Sequence, residues 1–224
     1  MRVERCFSFV DLCGFTAFTE SEGDERTVVI LASFRTRVRE IAARRGVRVT
    51  KWLGDGAMLS SGDTPGVAAM VMELAATGPD VVPLALRAGI AQGAVIMFEG
   101  DDYIGRPANV ASRLCDAAAA GEILAAREVV SQVPRWVEAG PPAHYQAQGF
   151  ERPLEASALR IGTSDTMIVD PCCGLLLPIV PGLDTRFGPD HSVHRFCSTA
   201  CALSWEQRQR DPAADLTVPD RAPR

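Results

Sequence analysis

Residues 47–60 leave the fewest folding options. Val47-Arg-Val-Thr-Lys-Trp-Leu alternates in polarity, the chain turns at Gly54-Asp55-Gly56, and Ala57-Met-Leu-Ser returns. Period-two alternation on both sides of a Gly-Asp-Gly turn predicts a β-hairpin with Asp55 at its tip. The flanking segments supply the rest of a sheet and the helices that cover it. Residues 4–10 are aromatic and β-branched, read as a strand, and run straight into Asp11-Leu-Cys-Gly14-Phe-Thr16. Apolar residues spaced three and four apart (Val28, Leu31, Phe34, Val38, Ile41, Ala42) predict an amphipathic helix over 27–45, capped by Gly46.

The chain continues in the same style. A mostly apolar helix is expected over 66–76, and residues 84–98 read as a strand pair interrupted by Gly89 and Gly93. Residues 101–107 read as a loop, 108–119 as a helix ended by Gly121, 122–126 as a short strand and 127–133 as a short helix. Residues 134–142 are irregular and 145–161 supply the final strands. The order β-α-β-β-α-β with a further α-β predicts an α+β sandwich, ferredoxin-like in its core, with a mainly antiparallel sheet. Residues 162–166 read as a linker, and 211–224, with three prolines and five charges, as a disordered tail.

Composition sharpens the hairpin. Of 23 basic residues 22 are arginine, and Lys51 is the lone lysine. A compact ammonium on a flexible stem does what a planar guanidinium cannot, so Lys51 and Asp55 read as part of a site. A net charge of −5 argues against a nucleic-acid partner. The arginines from Arg35 to Arg48 are expected on a solvated helix face. No apolar run is long enough to span a bilayer, and the N-terminus lacks a signal-peptide core. A cytoplasmic protein with reduced cysteines follows. Cys172, Cys173, Cys197 and Cys201 crowd into 30 residues, which suggests a second unit with its own chemistry.

The residues left over once a core is assigned are Asp11, Lys51, Asp55, Asp102, and Asn109 with Arg113 at i,i+4 on one helix face. Phe9-Val-Asp11-Leu-Cys-Gly-Phe-Thr16, Lys51-Trp-Leu-Gly-Asp55-Gly and Asp102-Tyr-Ile-Gly-Arg-Pro-Ala-Asn109-Val-Ala-Ser-Arg113-Leu together resemble the class III adenylyl/guanylyl cyclase catalytic domain over residues 4–161. The resemblance implies that Asp11, the Leu12 backbone carbonyl and Asp55 hold two Mg²⁺ or Mn²⁺ ions per active site. It implies that Gly14, Phe15 and Thr16 cradle phosphate, that Lys51 and Asp102 read the purine, and that Asn109 and Arg113 serve the ribose and the α-phosphate. A Lys/Asp pair matches the acceptor N1 and donor N6 of adenine, so ATP is the expected substrate. The resemblance further implies a homodimer whose sites are completed in trans. Gln148 stands where the family often has a basic residue, with Arg152 nearby. Since nothing precedes the catalytic strand, regulation is expected from the C-terminus or from partners.

Asp170-Pro-Cys-Cys173-Gly174 and Arg195-Phe-Cys197-Ser-Thr-Ala-Cys201 resemble a YHS/TRASH-type, treble-clef-like metal-binding module over 167–210. That resemblance implies Cys173, Cys197 and Cys201 as ligands for Zn²⁺ or another soft metal, with Cys172, His191 or His194 as a fourth. Two functions stay open at this point. One is an adenylate cyclase modulated by metal or redox state at its C-terminal module, with guanylate cyclase as a lesser variant. The other is a non-enzymatic metal-sensing protein built on a cyclase-like dimerisation scaffold.

Overall fold

The computed structural model describes residues 1–77, 82–98, 102–188 and 190–210. Strand β1 (Arg2–Leu12) is followed by α1 (Phe15–Glu22) and α2 (Asp24–Arg45), then the hairpin β2 (Arg48–Leu53) and β3 (Gly56–Ser61), then α3 (Thr64–Thr77). Next come β4 (Leu86–Phe98), β5 (Asp102–Ile104), α4 (Arg106–Ala117), β6 (Ile123–Ala126) and α5 (Arg127–Val130). Strands β7 (Val137–Ala139), β8 (Ala143–Tyr145) and β9 (Leu154–Ile161) complete a mixed sheet of order β2-β3-β1-β4-β6-β9-β7, with β5 paired to β4 and β8 to β9. The expected α+β class and the hairpin with Asp55 in its turn are found. No described helix is long and apolar enough to cross a membrane.

Period-two burial on β1 splits the core. Cys6, Val10 and Leu12 face the layer formed by α2 and α3, where Phe34, Val38, Ile41, Val67, Met70 and Leu74 are buried. Phe7 and Phe9 face the layer of α4, packed with Ala108, Ala111 and Leu114. Both layers close on β1 and β4, which pair antiparallel from Arg2↔Ile96 to Leu12↔Leu86.

Four expectations need correcting. Residues 84–98 are not a strand pair: β4 runs unbroken through both glycines and bonds to β1 along its length. Gly89 is there for a different reason, because a Cβ would lie 2.1 Å from the Ala111 carbonyl oxygen and 2.3 Å from the Cys115 nitrogen, so only glycine lets α4 approach. The expected loop contains β5, where Phe98 pairs with Asp102 and Ile96 with Ile104; Asp101 lies outside the described residues. Helix α1 is invisible to periodicity because none of its residues is buried. Finally, the α2 arginines are not all on a solvated face: Arg45 is buried and Arg44 turns inward toward Glu73.

The C-terminal residues form two small hairpins, β10 (Met167–Val169) with β11 (Leu176–Pro178) and β12 (Asp184–Phe187) with β13 (Val193–Phe196), followed by α6 (Thr199–Arg210). They do not stand apart. Cys173, Leu175, Leu177, Phe196, Cys197 and Cys201 belong to the same apolar cluster as α2, α3 and the sheet. The buried Trp136 indole donates to the Cys197 carbonyl at 2.8 Å. The expected tail, 211–224, lies outside the described residues.

Candidate active site and thiol centre

Register places the first group of polar residues. Asp11 and Arg87 are direct partners across β1 and β4, and Arg87 donates from Nε and Nη2 to Asp11 Oδ2 at 2.8 and 2.6 Å. Asp11 Oδ1 turns toward Gly56, where a Cβ would lie 3.2 Å away and only 2.5 Å from the Val10 carbonyl. The hairpin turn therefore lies against the end of β1 because residue 56 has no side chain, and Asp55 comes with it. Burial pushes the Asp55 carboxyl above its ordinary value, and the negative charge of Asp11 adds to that shift, with Arg87 opposing it. Two partly buried carboxylates that repel one another are a fit donor set for a hard divalent cation. Leu12 is buried in the same ladder opposite Leu86. Gly14 follows at φ 79°, and no side chain caps the start of α1. The backbone N–H groups near Phe15 and Thr16 are thus left for another acceptor.

A second group lies on the other side of the hairpin. Lys51 Nζ on β2 donates to Asp102 Oδ1 on β5 at 2.5 Å, and both side chains are about half exposed. Asn109 is exposed on α4, and Arg113 on the same helix donates to Asp116 Oδ2 at 3.0 Å. Lys51 thus meets a partner 51 residues away in sequence. Among the described residues no hydrogen bond or ion pair joins Lys51 or Asp102 to Asp11, Asp55 or Arg87, whereas α4 reaches that first group through the Asp116 carbonyl, which accepts from Arg87 Nη1 at 3.4 Å. Gln148 and Arg152 are exposed between β8 and β9.

The hairpin is anchored from outside by α2. Arg35 donates to the Gly54 carbonyl at 2.9 Å, and the Arg35 and Arg39 guanidinium carbons sit 5.0 and 5.1 Å from the Trp52 ring centroid. Cations stacked on an indole face fix the strand that carries Lys51 and the turn that carries Asp55.

At the C-terminus, Asp170, Cys173, Cys197 and Cys201 are all buried, with one donor atom from each within 4.8 Å of the others. The Cys173 and Cys197 sulfurs are 3.8 Å apart, and those of Cys197 and Cys201 3.5 Å. A tetrahedral centre with metal–sulfur bonds of about 2.3 Å has sulfur edges of roughly 3.8 Å, so the spacing suits a thiophilic ion. Asp170 stitches the two cysteine-bearing segments together. Its Oδ1 accepts the Cys172 and Cys173 N–H groups at 2.7 and 3.3 Å, and its Oδ2 accepts the Cys197 N–H at 2.7 Å. The Cys197 thiol is held below its ordinary value by the neighbouring Cys173 and Cys201 thiols and by Arg45, while Cys173 is pushed up by Cys197, Cys201 and burial. Cys172 is half-buried beside Cys201 and lies outside the four-residue group. His191 and His194 are not in it either: His194 bonds Ser192 at 2.8 Å and stacks on Trp205.

Three residues escape sequence reasoning. Arg87 sits mid-strand in Leu-Arg-Ala-Gly-Ile, where nothing marks it except its cross-strand register. Asp170 is visible only as the opening of the Asp-Pro-Cys-Cys-Gly run. Arg45 looks like one of many surface arginines.

No protein-family model matches the chain. An uncharacterized Mycobacterium tuberculosis protein is 36% identical over 154 residues, covering 67% of this chain and 40% of that one. An adenylate cyclase of Streptomyces coelicolor is 34% identical over 117 residues, covering 52% and 30%. The chain thus spans about two fifths or less of the length of these curated relatives. The adenylyl cyclase CyaB from P. aeruginosa superposes with a TM-score of 0.66 at 26% identity, covering 74% of this chain and 98% of that one. The guanylyl cyclase Cya2 superposes at 0.63 and 20%, covering 72% and 94%, a likeness of fold alone.

The raised Asp55 carboxyl sets a testable sign. A carboxyl that titrates higher in the folded than in the unfolded chain contributes its full stability below the unfolded value. It loses that stability as pH rises through the folded one. Asp55→Asn cannot ionise, so in chelator it should melt above the parent at neutral pH. The gap should close below about pH 4, the unfolded carboxylate range. Thermal melts across that range check this, and a variant melting lower at pH 7 would contradict it.

Proposed function

Given the fold and motifs of a class III adenylyl/guanylyl cyclase catalytic domain, we propose that this protein converts ATP to 3′,5′-cyclic AMP and pyrophosphate in a homodimer. The observation that carries this reading is the Lys51–Asp102 pair on a cyclase fold. An ammonium donor beside a carboxylate acceptor complements adenine, which offers an acceptor at N1 and a donor at N6. Guanine presents the reverse edge, and a base left mispaired at a built hydrogen-bonding site is rejected by several orders of magnitude.

Asp11, the Leu12 carbonyl and Asp55 would hold two Mg²⁺ or Mn²⁺ ions. When bound, such ions favour ionisation of the ribose 3′-hydroxyl and offset phosphate charge. The remaining work falls to the chain's own groups. The N–H groups at Gly14 to Thr16 receive phosphate oxygens, and Arg87 sets a fixed cation beside the carboxylates. Asn109 orients the ribose so that its 3′-oxygen lies in line with the α-phosphorus. As the 3′-oxygen to phosphorus bond forms, the bond to the β-phosphate oxygen breaks and pyrophosphate departs. Arg113 donates to the α-phosphate as charge builds there, a contribution on the order of 10²–10³ in rate for one such donor.

Two features support completion of the site in trans. Asp11 with Asp55 and Lys51 with Asp102 form separate groups within one chain. The paired strands β4 and β5 also expose Ile96, Phe98 and Ile104 at their shared end, an apolar face suited to a second copy. At the C-terminus, we read the Cys173, Cys197 and Cys201 thiols, braced by Asp170, as a site for Zn²⁺ or a similar thiophilic ion that modulates the enzyme. All seven cysteines are free, which supports a cytoplasmic setting.

Mixing tests the trans site. Asp11→Ala and Arg113→Ala homodimers should each be nearly inactive, while their mixture should recover up to about a quarter of parental activity. Half of the exchanged dimers are then mixed, with one intact site of two. A mixture as inactive as its components would rule out trans completion. For the C-terminal site, Cys197→Ala with Cys201→Ala should abolish stoichiometric zinc by elemental analysis, and unchanged zinc would refute that reading.

A further inference from the structure

Behind the thiol group lies a buried cluster of arginines that a soluble α+β core does not require. Glu73, on α3, is fully buried and receives Arg45 Nε at 2.8 Å, Arg37 Nη2 at 3.5 Å, and Arg44 Nη2. Arg37 also reaches the exposed Glu40 carboxylate at 3.7 Å and Thr77 Oγ1 at 3.0 Å. Glu40 accounts for the charge of Arg37, so Arg44 and Arg45 share the Glu73 carboxylate, and the other buried carboxylate of this region, Asp170, is turned to backbone N–H groups. Arg45 has a side chain only 1% exposed. Its Nη2 lies between the two groups, 2.7 Å from Glu73 Oε2 and 3.1 Å from Cys197 Sγ, and its Nη1 is 3.3 Å from Ser198 Oγ. An unbalanced guanidinium is costly to bury unless a matching negative charge lies beside it.

The structure assigns that negative charge. Resting on the reading that the thiol group holds a metal, we propose that Arg45 is the counter-ion of a divalent metal–thiolate centre at Cys173, Cys197 and Cys201. Three thiolates around a divalent ion carry one net negative charge, and Arg45 is a buried cation that reaches one of those sulfurs. The Asp170 carboxylate is meanwhile satisfied by three backbone N–H groups. A guanidinium donating to a ligand sulfur is the kind of outer contact that orients and stabilises a metal ligand. Only its planar fork can hold Glu73, Cys197 and Ser198 together. The ion is then part of the core shared by α2, α3 and the sheet. Occupancy is tied to the helix whose other turns, through Arg35 and Arg39, hold the Lys51 and Asp55 hairpin.

The test exploits the sign of the charge. Zinc affinity of the full chain is measured by competition with a chromophoric chelator for the parent, Arg45→Met, Arg45→Lys and Glu73→Gln. Arg45→Met removes the counter-charge and should weaken zinc by about 10–100-fold, the range found for lost outer-shell partners. Arg45→Lys should lie between Arg45→Met and the parent. Glu73→Gln removes a negative charge that competes for Arg45 and should bind zinc at least as tightly as the parent, even as it lowers the melting temperature of the zinc-free protein. A merely structural cluster predicts instead that Arg45→Met and Glu73→Gln weaken zinc together. That result, or parental affinity in Arg45→Met, would overturn the proposal. If Arg45→Met does not fold, the contrast between Arg45→Lys and Glu73→Gln carries the same sign test. A parent chain that binds no zinc would defeat the metal reading beneath it.

Discussion

The antiparallel pairing of β1 with β4 is the constraint from which the rest of the candidate site follows. It sets Asp11 opposite Arg87, so the carboxylate is held by a cation before any ligand arrives. The same ladder puts Gly89 under α4, and the absence of a side chain there lets the helix that carries Asn109 and Arg113 settle onto the sheet. At its far end β4 pairs with β5 and so delivers Asp102. One strand thus positions residues of both polar groups. The hairpin joins in through a second missing side chain, that of Gly56. Two glycines, at 56 and 89, mark where backbones must meet for a polar site to form between apolar layers.

The hairpin has a double loyalty. Lys51 is turned toward β5, while Asp55, four residues on, is turned toward β1. In the proposed homodimer that separation would be bridged between copies, and the exposed Ile96 and Ile104 would be covered. Relatives and solved neighbours include both adenylyl and guanylyl cyclases. The choice of purine therefore rests on the edge presented by Lys51 and Asp102 rather than on the fold.

Much of this is legible in the chain. A lone lysine among arginines, a Gly-Asp-Gly turn and an i,i+4 Asn/Arg pair are local signals, and local signals survive without a structure. What fails is anything decided by tertiary contact. Residues 84–98 look broken because glycine reads as an interruption, whereas Gly89 is a packing site within one strand. Helix α1 buries nothing and so has no period to detect. Arg45 is indistinguishable from its neighbours in sequence, because whether an arginine on a long helix meets water or a buried glutamate depends on an element 28 residues away. For the same reason Cys172, Cys173, Cys197 and Cys201 read as a separate unit, although Cys173, Cys197 and Cys201 share a core with α2 and α3.

Product formation tests the central claim most directly. The purified chain incubated with Mn²⁺ and either ATP or GTP, with products separated by chromatography, should yield 3′,5′-cyclic AMP and pyrophosphate from ATP. Little cyclic GMP should form, and none of either product once the divalent ion is chelated. Equal turnover of GTP would contradict the role given to Lys51 and Asp102, and bound but unreacted ATP would contradict the enzyme itself.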